Sequence, residues 1–370
     1  MIAVKHTILN CSIVSWFAYY VSSGALVFLY LNIALAAFVV VLGCTSRPKI
    51  GKDNRIQFLS LLLLVATLCF MSAVKSAMAG TIDLGVVTIS LNLLCGSLVA
   101  FRFIPAPSFH LPVLAMVVPV TICFITGSTL NELFPHSRNH ISIYYLAALS
   151  LLFIEREPNS FRNMLLVLGV GLLLFFQDGR SNTLVGTLLI ACSLLQLWMR
   201  LRIGTKLIAR PGVLLFFATG AATLMAPRLI AFLAESEARF NKDILEGPRI
   251  EILRAYTDSM TQLEIVFGRS AGWSKDILDL SIHNSYLAIH QSTGMFLLFL
   301  VFLFAKQILL TFDSNTFLKG AVICVILLRA STDSFLLDWG VVFGYLIFSR
   351  PISRKSDTRV SVANQGVLGV

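Results

Sequence analysis

The feature that most constrains this chain is the recurrence, from end to end, of apolar runs long enough to cross a bilayer as helices. A crossing takes about 20 predominantly apolar residues, and the stretch from Thr7 to Cys44 alone has room for two. Composition agrees: 57% of the residues are apolar and only 13% charged, against roughly 45–50% and 25% in soluble domains. An ordinary soluble enzyme is excluded. Because lipid offers the backbone no hydrogen-bond partners, runs of this kind must satisfy themselves as helices. The sequence therefore predicts an all-α polytopic membrane protein.

Dividing the runs at polar punctuation predicts spans near residues 7–22, 25–44, 56–74, 84–101, 111–127, 141–154, 164–177, 183–199, 211–233, 284–304, 320–333 and 335–349. That is twelve spans; the divisions at Ser22 to Gly24 and between the last two leave eleven or thirteen open. The organisation expected is nine spans in 1–233, a long loop at 234–283, three spans in 284–349 and a basic tail at 350–370. The first run is too long for the core of a cleaved signal peptide and reads as a retained hairpin.

Net charge is +10, from 29 Lys and Arg against 19 Asp and Glu. The basic residues gather in short connectors, with no Arg-rich segment interleaved with aromatics, so the surplus reads as membrane orientation rather than nucleic-acid binding. With both termini cytoplasmic, 18 Lys and Arg fall inside and 11 outside, seven of the latter between Arg228 and Lys275. The long loop is then external, and polar chemistry should concentrate there and at adjoining span ends. All seven cysteines (Cys11, Cys44, Cys69, Cys95, Cys123, Cys192 and Cys324) lie in or beside apolar runs without a C-x-x-C pair and read as small buried hydrophobes.

Three segments could carry chemistry. In Gln177-Asp178-Gly179-Arg180-Ser181-Asn182, the short flanking spans leave Arg180 near the membrane surface, where an unpaired charge costs roughly 2.5–3.5 kcal/mol or more. It either serves a site or forms an interfacial turn by pairing with Asp178 or snorkelling. In the loop, Gly247 and Pro248 introduce a helix carrying Arg249 and Arg254. These two differ by roughly 140° around an ideal helix, so one anion reaches both only if Arg249 lies in an irregular first turn. The alternative is a solvated face with Arg254 paired to Asp258 or Glu251.

The third segment, SIHNSYLAIHQSTG, opens the tenth span. His283 and His290 share a helix face, with Asn284 and Gln291 as a parallel polar pair, which predicts a wet stripe lining a cavity. Spaced i, i+7, about 10 Å apart, the histidines do not suit one metal ion, and His283 suits an acid–base role better. Arg329 and Asp333, spaced i, i+4, read as a structural salt bridge, while Asp338 has no reading. No Walker A, G-x-S-x-G or H-E-x-x-H pattern occurs. Arginines suited to phosphate oxygens beside one neutral-pH base suit transfer away from a phosphate leaving group.

With these pieces in this order, the chain resembles the O-antigen polymerase and O-antigen ligase superfamily, integral membrane glycosyltransferases of bacterial surface polysaccharide assembly. The resemblance rests on Gly179-Arg180-Ser181-Asn182, on the arginine-bearing loop ending in Gly268-Arg269-Ser270-Ala271-Gly272-Trp273, and on the His283-Asn284-Ser285-Tyr286-Leu287 opening. It covers roughly residues 170–304; the N-terminal half matches only by hydropathy and span count. The resemblance implies a GT-C-like bundle and an oligosaccharide on undecaprenyl diphosphate as donor. A second lipid-linked repeat would be the acceptor, with membrane lipids around it and a chain-length regulator and flippase as further partners.

Carried over, His283 corresponds to the catalytic base and Arg180, Arg249 and Arg254 to diphosphate-contacting arginines. Asp178, Asn182, Asn284, Tyr286 and His290 would line the substrate site. No cofactor or metal is implied, and turnover should persist in EDTA. A ligase moving finished polymer to lipid A core would use the same donor. A lipid-linked oligosaccharide transporter or flippase would also want an arginine-lined cavity, although no repeat symmetry accompanies it here.

Overall fold

The structure, a computed structural model, describes residues 7–15, 26–44, 52–79, 84–100, 110–133, 140–155, 161–177, 180–203, 248–269, 273, 284–311, 317–331, 335 and 342. Every regular element among these is an α-helix. In chain order they are α1 (7–15), α2 (Leu26–Cys44), α3 (Lys52–Ala79), α4 (Leu84–Ala100), α5 (His110–Thr126), α6 (Leu130–Leu133) and α7 (His140–Glu155). There follow α8 (Phe161–Phe175), α9 (Arg180–Ile203), α10 (Pro248–Asp258), α11 (Gln262–Phe267), α12 (Ser285–Thr293), α13 (Phe296–Thr311) and α14 (Phe317–Ala330). The expected segments 211–233, 335–349 and 350–370 lie outside the described residues, apart from positions 335 and 342.

The helices sit where the apolar runs end at polar or helix-breaking residues. α7 is buried on every side from Ile141 to Phe153, so its near-continuous apolar sequence makes it the centre of the bundle. α8 and α9 form a close hairpin: a Cβ on Gly186 would meet the backbone of Phe175 at 2.5 Å, so only glycine permits this approach. Asn32 ties α2 to α1 by donating to the Ser12 carbonyl at 2.7 Å. Tyr145 of α7 donates to the Met116 carbonyl of α5, at 3.2 Å, in the turn before Pro119.

One expected span is interrupted. Residues 284–304 form two helices, α12 and α13, parted at Gly294 (φ +57°). A side chain at Gly294 would collide with the Val266 carbonyl, which accepts from Met295 N at 3.1 Å. Hydropathy continues through the break, but the left-handed backbone and the incoming loop end the helix there.

Among the described residues one segment, Ser181–Met199, is long and apolar enough by itself to cross a membrane, and seven further apolar segments run 10–17 residues. Large apolar side chains stand on the outside of several helices, among them Phe124 (89% exposed), Leu309 and Leu63.

Candidate functional site

Four helix ends meet in one knot: the starts of α7, α9 and α12 and the end of α14. Helix starts leave backbone N–H groups without intrahelical partners, and helix ends leave carbonyls. The Asn182 side chain accepts from Ser142 N at 3.1 Å, satisfying an orphan of α7. Asn284 caps α12, its Oδ1 accepting from Tyr286 N at 2.9 Å and Leu287 N at 3.2 Å. Its Nδ2 donates to the Ser331 carbonyl at 3.0 Å, just past α14. Tyr286 donates through its hydroxyl to the Leu327 carbonyl at 2.9 Å, and Phe335 N donates to Ser285 Oγ at 2.9 Å. Arg329, in the last turn of α14, is buried and donates from Nε to Ser142 Oγ at 3.2 Å.

A second cluster docks the loop helices on the far end of α12. Arg269 is 1% exposed; its guanidinium pairs with Glu264 at 3.3 Å, donates to Ser259 Oγ at 2.9 Å, and lies 4.5 Å from the Trp273 ring centroid and 5.1 Å from that of Tyr256. Thr261 and Glu264 form a reciprocal capping box at the start of α11. Burial works to raise the Glu264 carboxyl, but the hydrogen bonds from the Thr261 backbone and hydroxyl, together with Arg269, outweigh it and hold the group below its ordinary value.

The Tyr256 hydroxyl is 2.8 Å from His290 Nδ1, and His290 Nε2 is 3.1 Å from the Ile265 carbonyl. A carbonyl only accepts, so Nε2 carries the proton and Nδ1 receives the tyrosine hydroxyl. Burial raises the Tyr256 phenol above its ordinary value, keeping it a donor at neutral pH. The backbone joins in: Arg269 N donates to the Gln291 carbonyl at 3.0 Å, and Lys75 of α3 donates its Nζ to that carbonyl at 2.5 Å. A cation on the last carbonyls of α12 also complements the helix dipole.

Of the residues singled out by sequence, Arg180 is the first residue of α9, two before Asn182, and Arg249 lies in the first turn of α10, which begins at Pro248 as expected. Arg254 is exposed on α10 and, among the described residues, pairs with neither Glu251 nor Asp258. His283 and Asp178 lie outside the described residues, as do Asp333 and Asp338. Asn182, Asn284 and Tyr286 come together in the knot, where they bond to backbone groups at helix ends. His290 meets α10 and α11, and both of its ring nitrogens are engaged by protein.

Sequence reasoning passed over Ser142, Lys75, Tyr256 and the role of Arg269. Lys75, an ammonium at the edge of an apolar run, was the one legible signal; the others act through partners distant in sequence or through an aromatic stack. No protein-family model matches the chain, and no curated protein or solved structure matches it.

Proposed function

We propose that the protein is a multi-pass membrane glycosyltransferase of the O-antigen polymerase type, joining one undecaprenyl-diphosphate-linked repeat unit to another on the periplasmic face of a bacterial inner membrane. The observation that carries this reading is the knot of helix ends. Residues from two of the three elements behind the family resemblance, Asn182 and the Asn284-Ser285-Tyr286 opening, are tied there through Ser142, Arg329 and the end of α14. The third, the loop ending in Gly268-Arg269, is docked on the opposite end of α12. The outward apolar side chains of α3, α5 and α13 support the membrane setting, since water penalises such a surface and lipid solvates it.

In the mechanism His283, the residue before the α12 cap, takes the proton from an acceptor sugar hydroxyl. The hydroxyl oxygen attacks the anomeric carbon of the donor, the bond from that carbon to the diphosphate oxygen breaks, and undecaprenyl diphosphate leaves with its electron pair. Arg180, Arg249 and Arg254 hold the departing charge, Arg254 from an exposed position on α10. A positioned base contributes about 10²–10⁴-fold.

The test is a lipopolysaccharide gel with lipid-linked glycan analysis of a deletion strain complemented with wild type or His283→Ala. Core capped by a single repeat unit in the mutant supports a polymerase that needs His283. Polymer accumulating on the lipid carrier with bare core replaces polymerase by ligase, and a wild-type ladder removes His283 from the chemistry.

A further inference from the structure

Arg329 occupies the middle of the knot. It is 3% exposed, and on its own element it stands between the two carbonyls that hold α12: Leu327, two residues before it, and Ser331, two after. From that place it reaches across to Ser142 Oγ of α7, whose backbone N–H is held by Asn182 of α9. The flat guanidinium also lies 5.9 Å from the centroid of the Phe335 ring, whose residue donates its N–H to Ser285 Oγ. An unbroken series of contacts thus runs α9–α7–α14–α12, through Asn182, then Arg329, then Asn284 and Tyr286, with Arg329 its central link.

A buried guanidinium is costly to desolvate, and apolar residues of equal volume would pack a bundle at least as well. What the guanidinium adds is direction. Its planar array of donors sets the angle between the groups it joins, which neither a methylene chain nor a lysine point charge does.

We infer that Arg329 is a positioning residue that sets the separation between the start of α9, where Arg180 stands, and the start of α12, which follows His283. Its catalytic consequence rests on the glycosyl transfer proposed above; the coupling of the two helix starts stands without it. If the base and a diphosphate arginine must act on one glycosidic bond, a displacement of about 1 Å between them costs on the order of 100-fold in rate. Substrate binding, spread over more residues, changes little.

The experiment uses full-length protein in lipid nanodiscs, as wild type and as Arg329→Ala, Arg329→Met and Arg329→Lys. Hydrogen–deuterium exchange is followed in peptides covering 140–146, where the start of α9 holds the Ser142 N–H through Asn182, and 284–290. Alanine and methionine are expected to raise exchange in both peptides together, by roughly tenfold, with lysine intermediate. Ser142→Ala, which removes the acceptor of Arg329, gives the same paired change at smaller size and decides the matter if Arg329→Ala does not fold. A rise in one peptide alone, or silence of the methionine variant, overturns the coupling.

In the catalytic arm, turnover of a polyprenyl-diphosphate-linked sugar is expected to fall about 100-fold in Arg329→Ala and Arg329→Met with KM nearly unchanged. The lysine variant should recover part of the loss. A raised KM with intact kcat overturns the positioning role. A wild-type protein inactive on this donor removes the proposed function, and the exchange result alone then decides whether Arg329 couples the helix starts.

Discussion

Two buried arginines organise two regions of this molecule, and they do so over different lengths of chain. Arg269 gathers Ser259, Glu264, Tyr256 and Trp273, all within one loop segment, and its backbone N–H adds the end of α12. Arg329 reaches Ser142, 187 residues away, and joins helices that enter the knot from separate parts of the sequence. The first arrangement is a local clasp that shapes a loop before docking it. The second exists only once the bundle has assembled. Loss of the clasp should therefore release the loop and leave the knot intact, while loss of the knot should be felt at several helix ends.

The largest expected effect is that of Arg269→Ala. The substitution leaves two aromatic faces without their cation and Glu264 without its partner. Breaking a buried pair costs about 3–5 kcal/mol, and the low end applies because the Glu264 side chain is 31% exposed. Exchange and proteolysis should rise across 250–269 and stay unchanged across 140–155. Arg269→Lys should not restore protection, because an ammonium cannot both stack and hydrogen-bond as the guanidinium does. Opening of 140–155 in the alanine variant would show that the clasp and the knot are one unit.

How much of this was legible follows the same division. The helices could be read because each is an apolar run ended locally: Pro248 starts α10, and α2, α4, α5 and α7 lie within a residue or so of the hydropathy limits. The Thr261-x-x-Glu264 box at α11 was readable in principle as a capping signature. The break at Gly294 was not, because its cause is the Val266 carbonyl and a backbone angle rather than a change in hydropathy. Asn284 and Asn182 were recognised as polar residues at special places. Their partners, the first-turn N–H groups and the Ser331 carbonyl, are backbone atoms that carry no sequence signal. The Tyr256–His290 bond is hidden for another reason: it joins two side chains 34 residues apart, and sequence alone places His290 on a wet stripe.

Next in size is Gly294→Ala. Holding a non-glycine residue at φ +57° costs roughly 1–3 kcal/mol, and the added carbon also meets the Val266 carbonyl. The variant should lose the Met295–Val266 bond, so exchange of Met295 N–H should rise together with that of 262–269. A rise at Met295 with no change in 262–269 would mean that the break and the loop are not coupled.

Tyr256→Phe should have a smaller effect. It keeps the ring against Trp273 and Arg269 and removes only the hydroxyl donated to His290 Nδ1. The loss of one such bond costs about 1 kcal/mol, read as a modest fall in the midpoint of thermal unfolding with the loop still docked. A loss as large as that of Arg269→Ala would move the weight of the clasp from the guanidinium to the Tyr256–His290 bond.

The smallest effect is a pH dependence confined to the clasp. The Glu264 carboxyl titrates below its ordinary value of 4.5 in the folded protein: burial opposes the shift, and the Thr261 hydrogen bonds with Arg269 outweigh it. A depressed folded value means that the unfolded chain takes up the proton first, so stability falls as pH falls. The contribution of Glu264 is therefore complete above pH 4.5 and declines as pH drops through the folded value below it. Glu264→Gln removes this titration but keeps a side chain able to accept from Thr261. The difference between wild type and Glu264→Gln in protection of 262–269 should be constant from neutral pH down to the ordinary carboxylate range and shrink below it. The knot peptide 140–146 should show no such difference at any pH, since Glu264 belongs to the local clasp. A difference that instead grew on acidification would reverse the sign of the shift and detach Glu264 from the stabilisation of the loop.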